Sequence, residues 1–303
     1  MLGAPAIILS FTPTNLLRTE GFATAAMTGS ILGSVINIIL DPIFIQVLDM
    51  GAGGAAIATV IGNICADIYY VWFLLNRSKR LSVDFKLVKA SIKEVKDILI
   101  IGIPASITNL MQSLGIALTN NFLLAYGNDK VAAMGIVMKI NMIAVLILVG
   151  FAFGVQPLIG YNYGAKNFKR LKEALRFSSV FQCSLAVILT LILSILAPSL
   201  ISFFMDDKEI VKIGAHMLRM QLISMIFVSI VLIATCTFQS TGKAFGAFLL
   251  SISRQGITFA VIIFIASKLL GYEGVVISQA IADFITAILA GSLFFTGLYK
   301  EIK

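Results

Sequence analysis

Nine apolar stretches run through this 303-residue chain, at roughly 2–17, 22–48, 54–75, 98–126, 131–159, 177–204, 215–239, 245–268 and 274–298. A helix needs about 20 such residues to cross a hydrocarbon core of about 30 Å. The runs are too long and too continuous for the roughly ten-residue alternating strands of a membrane barrel. The expected fold is therefore an all-α polytopic membrane protein with about nine transmembrane helices. Composition points the same way: 13% of residues are charged and mean hydropathy is +0.99, against about 25% charged in soluble domains. A soluble enzyme is excluded.

The net charge of +8 is explained by where the cations sit. Nine alternating crossings place 16 Lys and Arg on one side: Arg18, the 76–97 and 160–176 segments, Lys243, Lys300 and Lys303. Lys130, Lys208, Lys212 and Lys268 lie on the other, and Lys139, Arg219 and Arg254 fall inside apolar stretches. The positive-inside rule makes the richer side cytoplasmic, with a cytoplasmic C-terminus in a cell (plasma or inner) membrane. The charge is a topology signal, so nucleic acid is not an expected partner. One histidine, His216, and three scattered cysteines, Cys65, Cys183 and Cys236, suggest no His-based catalysis, zinc site or disulfide framework. The first seventeen residues carry no charge, so no cleavable signal peptide is expected.

The 76–97 segment is the best internal boundary. It divides the chain into 1–80, a linker at 81–97, and 98–303. Phe85, Val88, Ile92, Val95 and Leu99 recur at helical spacing between lysines, which fits an amphipathic helix on the inner leaflet as well as a solvated charged linker. Ser91 and Glu94 have capping-box spacing at its end.

The chain also carries a weak internal repeat at an offset of 221. Gly21 matches Gly242 and Gly53 matches Gly274, and each glycine pair encloses one long apolar helix. The second half, 98–298, has six helices, and the first half has three that match only the last three of those six. A complete first half would extend about 120 residues before Met1, giving two six-helix halves of the parallel repeat type.

Several motifs then occur in order. Asn15-Leu-Leu-Arg18-Thr-Glu-Gly21, Asn37-Ile-Ile-Leu-Asp41-Pro42 and Gly54-Ala-Ala-Ile-Ala-Thr59 resemble first-lobe signatures of the multidrug and toxic compound extrusion (MATE) family. Gly102-Ile-Pro104-Ala-Ser106 and Gln156-Pro157-Leu-Ile-Gly160-Tyr161-Asn162-Tyr163-Gly164-Ala-Lys166 resemble its second-lobe signatures. The resemblance implies two lobes around a central cavity, exporting small organic cations in exchange for Na⁺ or H⁺. It further implies a truncated first lobe of three helices beside a complete six-helix second lobe. No cofactor beyond the coupling ion is implied, and the expected working form is a monomer in the lipid bilayer.

Asp41 is the sharpest candidate residue. An acidic group within the bilayer costs about 2.5–3.5 kcal/mol on insertion scales and usually faces a polar interior. Asn37 lies four residues earlier on the same helical face, and Pro42 frees a backbone carbonyl one turn back. A carboxylate, an amide oxygen and a carbonyl are hard ligands for Na⁺, and Thr59 can add a hydroxyl. An Asp-Pro pair also commonly ends a helix near the interface. The MATE resemblance assigns Asn37, Asp41 and Thr59 to a first-lobe cation site. That family site also uses an acid on the family's first helix, which has no counterpart here.

Asn109, Gln112, Asn120, Gln156, Gln221 and Gln239 are candidates for a polar substrate cavity, although helix–helix hydrogen bonding explains each one singly. Asp67 and Asp283 are further acids inside apolar stretches. Lys139 is expected to pair or snorkel, and Arg219 and Arg254 to snorkel. Some members of the family that this chain resembles carry an acid on the helix matching 98–126, and none occurs here, which counts against a second-lobe cation site. Gly160 to Lys166 lacks the GxxxxGK[ST] phosphate cradle, so ATP hydrolysis has no seat. The leading expectation is a secondary antiporter and not an enzyme. The alternatives are a lipid-linked oligosaccharide flippase of related architecture, which would want a strongly cationic cavity, and a truncated inactive fragment.

Overall fold

The computed structural model describes residues 4–78, 91–298 and 301, which form helices and short turns with no strand among them. The helices are α1 (Ala4–Thr19), α2 (Ala23–Pro42), α3 (Gly51–Arg77), α4 (Ile92–Leu124), α5 (Asn128–Gly164), α6 (Phe168–Ser202), α7 (Lys208–Ser240), α8 (Ala244–Ile252) and α9 (Thr258–Leu293). Wider π-helical turns extend α2 through Ile43–Val47, join α8 to α9 through Ser253–Ile257, and continue α9 through Phe294–Leu298. The linker expected at 81–97 falls partly at 79–90, outside the described residues. Beyond it α4 is already helical from Ile92, directly after Ser91.

Six helical stretches among the described residues are long and apolar enough to cross a membrane. The last of them, Phe245–Leu298, has 54 residues, about 80 Å of helix against a core of about 30 Å. Gly271 breaks it with φ +58 and ψ −131, so it makes two passes. The chain is a multi-pass, all-helical membrane protein.

Two compact units divide the chain, Met1–Ser91 and Ile92–Lys303. In the N-terminal unit, α2 and α3 meet backbone to backbone at Gly33 and Gly62: a Cβ on Gly62 would stand 2.5 Å from the Gly33 carbonyl oxygen. Tyr70 of α3 is buried and donates to the Ala26 carbonyl at 3.0 Å, with the Ser30 hydroxyl 2.9 Å away. Ser78 donates to the Glu20 carboxylate at 2.8 and 2.9 Å, which ties the end of α3 to the turn after α1.

In the C-terminal unit, α7 is the most buried helix. Its Met217, Leu218, Leu222 and Met225 pack with Met134 and Val137 of α5, Ile201 of α6 and Val276 of α9. Ile188, Leu191 and Ile195 of α6 are exposed, as suits a helix with one face toward lipid. Lys139 is also exposed, and Arg219 donates through Nε to the Ser194 carbonyl at 3.1 Å.

The two units share one turn in hydrogen-bond detail. Gly21 and Phe22 donate to the Arg18 and Leu17 carbonyls at 3.2 and 2.8 Å, and Gly242 and Lys243 donate to Gln239 and Phe238 at 3.3 and 2.8 Å. Both glycines take positive φ, +93 and +75, in the Schellman arrangement that closes a helix. Gly53 and Gly274 are not equivalent, however. Gly53 has open space around it, whereas a Cβ on Gly274 would collide with the Ala266 carbonyl. Two glycines under matching constraints are the true counterparts. Gly54 likewise abuts a carbonyl, that of Phe44, and Gly51 matches the break at Gly271, with φ +53 and +58. Past the second turn the offset is thus 220.

A polar clasp closes one end of the C-terminal unit. Lys243 Nζ lies 2.6 Å from Glu301 Oε1, and the Tyr163 hydroxyl donates to Glu301 Oε2 at 3.1 Å. The hydrogen bond from Lys243, then that from Tyr163, holds the Glu301 carboxyl below its usual 4.5. A depressed carboxyl contributes its stabilisation above the unfolded value and loses it as pH falls through the folded one. Amide-exchange protection of the Phe294–Leu298 turn is therefore expected to hold at neutral pH and to drop as pH falls below 4.5. Glu301→Gln should abolish that drop.

Candidate functional site

The first-lobe candidates converge. Asp41 sits near the end of α2, just before Pro42 and the π-helical turn, and the helix continues through Val47. It is therefore not the terminal cap that an Asp-Pro pair often makes. Asn37, one turn earlier, donates through Nδ2 to Asp41 Oδ1 at 3.3 Å and to Thr59 Oγ1 of α3 at 3.4 Å. Thr59 in turn donates to the Ala55 carbonyl at 2.9 Å, and Asn63 donates to the Thr59 carbonyl at 2.8 Å. The close approach at Gly33 and Gly62 explains the meeting, since a Cβ on Gly62 would lie 3.2 Å from Asn37 Cβ.

Chemically, an amide NH₂ stands between a carboxylate oxygen and a hydroxyl oxygen, two acceptors that would also draw a small cation. Turning the Asn37 amide by a half-rotation presents its carbonyl oxygen instead. The cluster then offers three hard oxygens of the kind that bind Na⁺. Asp41 and Asn37 are half-buried, Thr59 is exposed, and no ion pair engages Asp41 among the described residues.

Sequence spacing did not single out Asn63, although it lies one turn beyond Thr59 on the same face of α3. Asp67 lies a turn further on. Its Oδ1 is buried without a hydrogen-bond partner, while the Ser10 hydroxyl of α1 bonds its side chain.

In the C-terminal unit the cavity candidates separate. Gln156 of α5 donates to Gln239 Oε1 of α7 at 3.2 Å, so these two are brought together. Gln221 is buried and spends its amide on the Val276 carbonyl of α9 at 3.1 Å, which is a packing bond. Asn109 and Gln112 are exposed on α4, and Asn120 is half-buried there.

Arg254 does not snorkel. Its Nε lies 2.9 Å from Asp283 Oδ1, with the arginine side chain 18% exposed and the aspartate fully buried. The π-helical turn Ser253–Ile257, in which Gly256 leaves helical geometry at φ −108 and ψ −106, reshapes the helix where Arg254 joins it. The sequence signalled only that Arg254, inside an apolar stretch, needs a partner or a route to water, and not which partner it takes.

Comparisons with known proteins agree with this architecture. The MatE family profile matches residues 104–265, more than half of the chain. The multidrug export protein MepA of Staphylococcus aureus (strain MSSA476) is 31% identical over 289 residues, covering 95% of this chain and 64% of that protein. MepA of Staphylococcus haemolyticus is 31% identical over 292 residues with the same coverage. The chain thus spans 64% of the length of these curated relatives. A solved outward-facing multidrug resistance MATE family transporter of the MOP superfamily superposes with a TM-score of 0.92 at 25% identity, over 100% of this chain and 68% of that one. A MOP superfamily transporter from Pyrococcus furiosus superposes at 0.86 with 26% identity, over 95% and 65% of the two chains. With a fold, a family profile and relatives in agreement, this chain belongs to the MATE family of transporters.

Proposed function

We propose that the chain works in a secondary antiporter, not an enzyme, that exports organic cations or drugs in exchange for Na⁺ or H⁺. In this reading Asn37, Asp41 and Thr59 form the coupling-ion site. The observation that carries it is the Asn37 amide spanning Asp41 Oδ1 and Thr59 Oγ1. The amide holds the two oxygens together when no cation is bound, and a bound ion replaces the NH₂ as their common partner. Ion uptake then tightens α2 against α3 at the contact where their backbones already touch, which couples occupancy to helix packing.

The multidrug export activity of the MepA relatives supports the cargo class. Gln156 and Gln239, with Asn109, Gln112 and Asn120, offer neutral amides to a cationic guest, and the exposed Met142 is the kind of adaptable apolar surface that tolerates varied guests. The lysine distribution supports a cytoplasmic C-terminus, and in this reading the polar clasp of Tyr163, Lys243 and Glu301 faces the inner side.

The experiment is dye accumulation in efflux-deficient cells that express the chain. Accumulation of a fluorescent cationic dye is expected to fall, and Asp41→Asn is expected to return it to the level of empty-vector cells. Thr59→Ala, which removes one ligand and leaves the carboxylate, is expected to weaken efflux without abolishing it. Efflux unchanged by Asp41→Asn would remove this site from the mechanism. In membrane vesicles, driving transport with a Na⁺ gradient or a pH gradient alone identifies the ion.

A further inference from the structure

Aligning the two units by their shared turns assigns counterparts to Thr59 of the cation site and to its neighbour Asn63. At the offset of 220 that holds beyond Gly51 and Gly271, Thr59 of α3 corresponds to Gln279 of α9, and Asn63 corresponds to Asp283. The C-terminal unit therefore has its own polar cluster at this level, of different composition. Asp283 is 0% exposed. Its Oδ1 receives Arg254 Nε at 2.9 Å and Gln279 Nε2 at 3.1 Å. Its Oδ2 is buried with no partner in hydrogen-bond geometry, and the neighbouring Ser224 hydroxyl is bonded to the Gln221 carbonyl at 2.8 Å. Arg254 itself falls in the arm where the offset passes from 221 to 220, opposite Gly33 or Ser34 of α2, neither of which carries a charge.

We propose that the Arg254 guanidinium is a tethered cation filling a polar cluster of the C-terminal unit that borders, through Gln279, the counterpart of Thr59. Asp283 is then a latent site for a small monovalent cation, which opens only when the guanidinium is removed. A guanidinium never loses its proton in proteins and offers donors in a fixed fork. A mobile ion would have to leave that buried cation unpaired in order to displace it, and an unpaired buried charge is strongly disfavoured. The filled cluster does not exchange, whereas the cluster of Asn37, Asp41 and Thr59 is held only by a neutral amide. The comparison rests on the cation-site reading above, but the prediction for Arg254 and Asp283 is separable from it.

The test uses the full chain in detergent, unfolded by heat in NaCl or in N-methylglucamine chloride at equal ionic strength. The parent chain is expected to show a Na⁺-dependent rise in Tm that Asp41→Asn removes. If Asp41→Asn has no effect, the reading of the first site fails, and the arms below still decide this one. In the Asp41→Asn background, Arg254→Met is expected to restore Na⁺-dependent stabilisation, about 100-fold in the folding constant at Na⁺ one hundred times its Kd. A further Asp283→Asn should erase it.

Arg254→Met leaves a bare carboxylate, so this variant can be unfolded in N-methylglucamine. Recovery of its fold in Na⁺ is then the same positive outcome. Asp41→Asn with Arg254→Met and Asp283→Leu supplies a neutral control, expected to fold and to ignore Na⁺. The proposal is overturned if Na⁺ and N-methylglucamine are indistinguishable for Asp41→Asn with Arg254→Met while that control folds. It is equally overturned if Asp41→Asn alone keeps a Na⁺ response that Asp283→Asn removes, since Asp283 would then hold a mobile ion with Arg254 in place.

Discussion

Asp283→Ala is expected to destabilise the C-terminal unit by about 3–5 kcal/mol, the cost of stranding one partner of a buried ion pair. The aspartate is fully buried, so its loss exposes nothing to water. What remains is the Arg254 guanidinium, 18% exposed and 2.9 Å from a carboxylate that is no longer there. The same argument makes a compensating prediction. Arg254→Met with Asp283→Leu replaces the pair by apolar side chains, and such replacements are often neutral or stabilising. The double variant should recover most of the loss, within about 1 kcal/mol of the parent, even though each single change is costly. Thermal unfolding of the four chains closes the cycle. A single Asp283→Ala that unfolds within about 0.5 kcal/mol of the parent would mean that Arg254 finds water by straightening its side chain.

Gly62→Leu is expected to have the other large effect. A Cβ there would already stand 2.5 Å from the Gly33 carbonyl oxygen and 3.2 Å from Asn37 Cβ. Overpacking typically costs about 1–3 kcal/mol where side chains can yield. At Gly62 the obstacle is backbone, which cannot change rotamer, so the cost should reach the top of that range or exceed it. The displacement also carries Asn37 away from Thr59, which breaks the 3.4 Å contact between them. Lower stability and loss of Na⁺-dependent stabilisation are therefore expected together. Gly53→Ala is the control. Nothing lies within 4 Å of the added Cβ, and alanine gains up to about 1 kcal/mol over glycine inside a helix. If Gly62→Leu kept the Na⁺ response, the proposed cation site would not depend on the close crossing of α2 and α3.

Both variants show what could be read from the amino-acid order and what could not. Length and hydropathy were enough for the helical membrane class, because a bilayer leaves few alternatives to long apolar helices. The meeting of Asn37 with Asp41 was legible because both lie on one helix, four residues apart. Their contact with Thr59 depends on how closely α2 and α3 approach, which Gly33 and Gly62 decide 29 residues apart. Arg254 was misplaced for a related reason. Its partner lies 29 residues away beyond the break at Gly271, and the π-helical turn at Arg254 has no simple sequence signature. Gln221 looked like a cavity amide by composition, yet its donor goes to a backbone carbonyl of another helix, which no spacing rule encodes. The repeat was visible at Gly21 and Gly242 because a positive φ demands glycine. It was misjudged by one residue at Gly53, because an unconstrained glycine looks the same in a sequence as a constrained one.

That one-residue difference makes the two hairpins poor spare parts for each other. Between their left-handed glycines, the first counts thirty steps, Gly21 to Gly51, and the second twenty-nine, Gly242 to Gly271. Grafting either arm into the other half would turn everything downstream by about 100°, so that a side chain facing its neighbour would face lipid instead. A chimera has to add or delete a residue at the graft to work, and a library of such junctions would locate where along the arm the extra step resides.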